Sequence, residues 1–217
     1  MTDLDAFGCK FLSFSQLILV SFIQEYFFLS MPRYCFLFFS SYSVIQERKE
    51  EFTTMPATII DGKKIAETIR SELKLRVDAI KVQHPGALNP GLCAIIVGGR
   101  KDSETYVRLK HKAAEECGFV SIPAAMPEDT TQEQLEAKIE ELNNDPQCHG
   151  IIVQLPLPSH LSEEKAILKI NPSKDADCLH PYNVGMMALR GQKPTVLPCT
   201  PAGVIELLKR SNVVIFF

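Results

Sequence analysis

The stretch Leu92–Lys112, LCAIIVGGRKDSETYVRLKHK, decides how the chain reads. Leu92 to Val97 is an unbroken apolar run of strand length. Gly98-Gly99-Arg100-Lys101 is a turn, and from Asp102 the pattern is that of a helix leaving the C-terminal end of a buried strand. At about 100° per residue, positions i, i+3 and i+7 share a helix face. Ser103, Tyr106 and Lys110 therefore stand in one row. A hydroxyl, a phenol and an amine in line are odd for a face that only packs, although a lysine stem snorkelling past a tyrosine gives the same pattern.

Outward from this unit, strand and helix patterns alternate. Upstream, Ile59-Ile60-Asp61-Gly62 is extended, and Ile65, Ile69, Leu73, Val77 and Ile80 recur at helical spacing until His84-Pro85-Gly86. Downstream, Gly118 caps the helix and Phe119–Ile122 predicts a short second strand. Thr130-Thr131-Gln132-Glu133 starts a helix with Leu135, Ile139 and Leu142 on its inner face. Gly150–Pro158, GIIVQLPLP, predicts a strand buried on both sides; Pro156 cannot continue it, which leaves Gln154 near its C-terminal end. A helix follows over about Ser162–Ile170, then a polar loop from Asn171 to Asn183. Thr200-Pro201 reads as N-cap and N1 of a last helix ending near Arg210.

This alternation predicts an α/β fold, a three-layer domain with a short parallel sheet. Ligands of such sheets gather at the C-terminal strand ends, a rim within reach of Lys110, Gln154 and Asp177.

The formal net charge of −3 carries no electrostatic footprint for nucleic acid. Seven cysteines, an odd number without a C-x-x-C pair, predict reduced and mostly buried thiols of an intracellular protein. No two of the five histidines lie at i+3 or i+4, so no metal site is expected.

Residues 1–54 differ in texture: ten of the thirteen phenylalanines fall there. The apolar run Phe11–Ile23 is too short to span a bilayer. Asp3 and Asp5 do not suit a signal peptide, and the segment lacks the arginines of a mitochondrial presequence. We read 1–54 as an atypical extension outside the fold, with a weak membrane-surface anchor as the alternative. Residues 55–210 are the domain and 211–217 a tail. The compartment expected is the cytoplasm, with the mitochondrion as the second choice.

Several blocks together resemble the catalytic domain of the bifunctional methylenetetrahydrofolate dehydrogenase/cyclohydrolase family. They are Ile59-Ile60-Asp61-Gly62-Lys63, the helix Ser103-x-x-Tyr106-x-x-x-Lys110-x-Lys112-x-Ala114, and the strand Gly150–Pro158. Lys174-Asp175-Ala176-Asp177, Asn183-Val184-Gly185 and Pro198–Gly203 complete the set. The resemblance implies oxidation of 5,10-methylenetetrahydrofolate with NADP or NAD, then hydrolysis of the 5,10-methenyl cation to 10-formyltetrahydrofolate, in a homodimer that needs no metal. It implies Lys110 as the acid/base, since a partly buried lysine beside a cationic substrate can trade protons with water. Gln154 would orient the amine, Tyr106 face the flat folate rings, and Asp177 accept from the pterin's donor edge. Ser103 would support the lysine or a water, and Leu155, Pro156 and Leu157 would line the folate. Asp175 reads as a loop or cap carboxylate.

Two departures bear on these expectations. Cys178 stands where the family has glycine, which implies strain if that position needs a positive φ. The family continues past Arg210 into a nucleotide-binding domain, and no G-x-G-x-x-G loop occurs in this chain. The resemblance thus implies a chain truncated before its NAD(P)-binding half, with no cofactor-binding residues of its own and no dehydrogenase activity alone. The other reading is a non-catalytic folate-binding or interaction module.

Overall fold

In the computed structural model, residues 59–192 and 194–213 are described; the expectations for 1–54 lie outside them. Asp61 caps the first helix, α1 (Gly62–Gln83), its side chain accepting from Lys64 N–H at 3.0 Å. Strand β1 (Gly91–Val97) follows, then α2 (Lys101–Glu116), β2 (Val120–Met126), α3 (Gln132–Asn144) and β3 (Gly150–Val153). The order closes with α4 (Glu163–Lys169), α5 (Pro181–Ala188) and α6 (Cys199–Arg210).

The three strands are parallel in the order β2-β1-β3. β1, with a neighbour on each side, is buried along its whole length. Alternate side chains divide the core into two. Leu92, Ala94 and Ile96 join Ile152 and the inner faces of α1, α2 and α6; Cys93, Ile95 and Val97 join Ile151, Val153 and those of α3 and α4. Helices thus cover both faces, and the three-layer α/β fold is as the alternation predicted. The topology gives a reason. The crossover through α2 moves one way along the sheet and the crossover through α3 moves back past β1. Connections of one hand must then place these helices on opposite faces.

Local details refine the expectations. β2 runs to Met126, beyond Ile122, and includes Pro123. It is the outer strand of this sheet, so a missing N–H on its free side breaks no ladder. Gly118 has φ +81°, and the bonds Gly118 N–H to Glu115 O and Phe119 N–H to Ala114 O end α2. Thr131 caps α3 with Gln134 answering, a capping box. α5 was not expected. It begins inside the stretch read as loop, with Pro181 in its first turn and the His180 ring accepting from Tyr182 N–H at 3.1 Å. Only Asn183 of this helix is buried, so it carries no apolar stripe to mark it in sequence. α6 begins at Cys199 with Pro198 in the N-cap position, two residues ahead of the expected Thr200-Pro201 start, so Thr200 lies inside the first turn; the buried Cys199 thiol donates to Ala176 O.

The segment after α4 is led back to the sheet. Ile151 N–H donates to Lys174 O at 2.7 Å and Ala176 N–H to Ile151 O at 3.1 Å, a single parallel bridge on the outer side of β3. That bridge carries Asp177 to the strands' C-terminal end. No described helix is long and apolar enough to cross a membrane.

Candidate active site

Helix α2 leaves the end of β1 and returns along the sheet, so its buried residues, Ser103, Val107, Lys110, Ala113 and Ala114, face the core. Lys110 is 6% exposed, unusual for a lysine, and so must meet polar partners. Its Nζ donates to Gln154 Oε1 at 3.2 Å and lies 3.7 Å from Asp177 Oδ2.

Gln154 is the first residue past β3. Its backbone N–H makes the last bond to β1, at Ile95 O, 2.9 Å. Its side-chain Nε2 donates to Leu155 O at 2.8 Å. With the amide nitrogen engaged, the oxygen is the end left to face the lysine. Tyr106, one helical turn before Lys110, is half-buried; Ser103 is buried in the first turn. Three elements distant in sequence therefore bring Lys110, Gln154 and Asp177 together, with Tyr106 on the same helix.

The Leu155-Pro156 bond is cis. Leu155 is half-buried and Pro156 exposed, while Leu157 is buried in the core with α3 and α4, its N–H donating to Glu163. Of this expected trio, Leu157 is a packing residue in the structure.

Burial pushes the Asp177 carboxyl up from its ordinary range, the Lys110 ammonium pulls it down, and the Asp175 charge adds to the rise. Burial likewise pushes the Cys199 thiol far up and Cys178 to about 11. Neither is a thiolate nucleophile at neutral pH. The five described cysteines are free and buried. Among the described residues no His, Cys, Asp and Glu group could hold a metal ion.

Cys178 has φ +58°, the left-handed region that favours glycine. The positive φ raised by the sequence is thus present next to Asp177. Its thiol donates to Val196 O at 3.5 Å. At this position glycine should be more stable than alanine by about 1 kcal/mol, the same sign as at other left-handed turns. Urea unfolding of Cys178→Gly and Cys178→Ala measures the difference; equal stabilities would show that the turn is not strained.

Sequence reasoning gave Asp175 only a loop role and Asn183 none. Asp175 accepts from the N–H groups of Leu179 and His180 and from the Asn183 amide, all within the fold. A pair of short polar residues eight apart across a proline was the available signal, but spacing alone does not show that they touch.

A nicotinamide dinucleotide requires a cradle for its pyrophosphate. The glycine pair Gly98-Gly99 forms the turn from β1 into α2, with Gly98 at φ +80°. Side-chain atoms of Glu128 and Glu104 lie 3.5 and 3.8 Å from where Cβ atoms on these glycines would sit. Acidic side chains at that turn do not fit an anionic pyrophosphate.

Residues 60–177 match the family model of the tetrahydrofolate dehydrogenase/cyclohydrolase catalytic domain. The chain is 49% identical over 157 residues to the bifunctional protein FolD 2 of Arabidopsis thaliana, covering 72% of this chain and 52% of the relative. Among solved structures, the Trypanosoma brucei methylenetetrahydrofolate dehydrogenase-cyclohydrolase, complexed with NADP and inhibitor, is 48% identical with a TM-score of 0.69, covering 73% of this chain and 54% of that one. The bifunctional enzyme of Campylobacter jejuni is 41% identical with a TM-score of 0.66, over 72% and 54%. The chain thus spans about half the length of the curated relatives it matches.

Proposed function

The chain belongs to the tetrahydrofolate dehydrogenase/cyclohydrolase family, and from that membership we propose that Lys110, Gln154, Asp177 and Tyr106 form the folate half of such a site. The reaction we assign to these residues is hydrolysis of 5,10-methenyltetrahydrofolate to the 10-formyl product. In the longer relatives' two-step sequence, NADP- or NAD-dependent oxidation of the methylene compound supplies this cation. One observation carries the reading: a buried lysine amine 3.2 Å from an amide oxygen and 3.7 Å from a carboxylate, at the C-terminal rim of the sheet.

The chemistry follows from the groups present. In its base form the Lys110 amine still donates an N–H to Gln154 and keeps a lone pair for a water proton. As the water oxygen bonds to the methenyl carbon, Lys110 takes that proton. The ammonium then returns it to the ring nitrogen while the carbon–nitrogen bond breaks. Closure of the formyl C=O releases the hydroxyl proton, so each turnover yields one proton to solvent. Asp177 accepts from the N–H edge of the pterin, and the Tyr106 ring supplies a flat apolar wall.

The test is to mix the purified chain with 5,10-methenyltetrahydrofolate and follow loss of the cation's absorbance against buffer. Acceleration is expected. Saturable binding without acceleration would leave a folate-binding module, and neither binding nor acceleration would overturn the reading.

A further inference from the structure

Asp175 and Asn183 do not belong to the cluster proposed to hold the folate, yet they are 1% and 2% exposed. A buried carboxylate is costly unless donors meet it. Leu179 N–H donates to Asp175 Oδ1 at 3.2 Å, His180 N–H to Oδ2 at 2.9 Å, and Asn183 Nδ2 to Oδ2 at 2.8 Å. The same Asn183 amide donates to Pro172 O at 2.9 Å. Helix α5 is thereby tied to both the start of the loop and the carboxylate inside it.

The loop is held on two sides. Lys174 and Ala176 bond to Ile151 of β3, and residues 179, 180 and 183 bond to the Asp175 carboxylate. Asp177 lies between these fixed points, followed by the left-handed turn at Cys178. The N-cap of α5 has its own acceptor in the His180 ring, and beside it the Asp175 carboxylate meets three amide donors from both loop and helix. We propose that Asp175 and Asn183 are positioning residues, locking the 175–180 turn so that the Asp177 carboxylate faces Lys110. The inference rests on the folate-site reading above. Displacing a recognition group by about 1 Å can cost up to ~100-fold.

The experiment is a double-mutant cycle on the 217-residue chain, read as equilibrium binding of 5-formyltetrahydrofolate. Asp177→Asn should weaken binding about tenfold, the scale of a lost hydrogen bond to a charged group. Asn183→Ala should weaken it about tenfold in the parent chain, yet by no more than about twofold when Asp177→Asn is already present, since no carboxylate remains to be aimed. A general loss of structure predicts the same factor on both backgrounds, and that result, or no effect in the parent, overturns the proposal. If Asn183→Ala fails to fold, Asp175→Asn enters the same cycle with the same criteria. Should Asp177→Asn bind as the parent does, the folate-site reading itself fails and takes the inference with it. Intact sensitivity to Asp177→Asn beside indifference to Asn183→Ala overturns the inference alone.

Discussion

Replacing Lys110 by methionine is expected to lower hydrolysis of 5,10-methenyltetrahydrofolate by about 10²- to 10⁴-fold, the usual loss when a positioned acid/base is removed. Methionine keeps an unbranched stem of similar length in the 6%-exposed site, so a cooperative melt should survive. A second variant separates charge from proton transfer. Lys110→Arg keeps a cation facing Gln154 and Asp177, but a guanidinium does not give up its proton in a protein. If Lys110 served only as a fixed positive charge, arginine would restore much of the rate. We expect arginine to be nearly as poor as methionine, measured as the initial rate at saturating substrate. Near-normal turnover in either variant would remove Lys110 from the chemistry.

The largest expected effect on stability comes from one methyl group. Gly91 opens β1, paired with Val120 and bonded to His149 through both its N–H and its carbonyl. A Cβ at this position would lie 1.9 Å from Gln147 O and 3.2 Å from Ile122 Cδ1. The first contact is with backbone, which no rotamer change relieves, so either the strand or the 145–149 turn must move. Overpacking of this kind costs about 3 kcal/mol, a fall of roughly 6–12 °C in melting temperature for a domain of this size. Gly185 provides the opposite case: it sits in α5 with nothing within 4 Å of its Cβ direction. Alanine there should stabilise by up to about 1 kcal/mol, because glycine is the poorer helix former. Thermal melts of Gly91→Ala and Gly185→Ala check the pair. Equal melting temperatures would show that the turn above Gly91 yields easily.

Much of the fold was legible in the sequence because burial imposes a period. The all-apolar run of β1 read as a buried strand, and the stripe from Ile65 to Ile80 as a helix with one inward face; that β1 is the central strand came from the sheet order. The row Ser103, Tyr106, Lys110 was equally legible, since 100° per residue is a property of the backbone and needs no partner. Helix α5 escaped because Tyr182, Val184 and Met187 are exposed and Asn183 alone is buried. Periodicity reports only what a core demands. What sequence could not determine is distance between elements. That Lys110 Nζ stops 3.2 Å from Gln154, that Asp177 arrives by a one-residue bridge to β3, and that Asp175 and Asn183 meet behind it are consequences of packing. Each joins residues separated by loops whose paths are set by hydrogen bonds to distant backbone. Sequence determined which side chains line each element, because that is local geometry; the tertiary structure decided which of them touch, because contact depends on how the layers close.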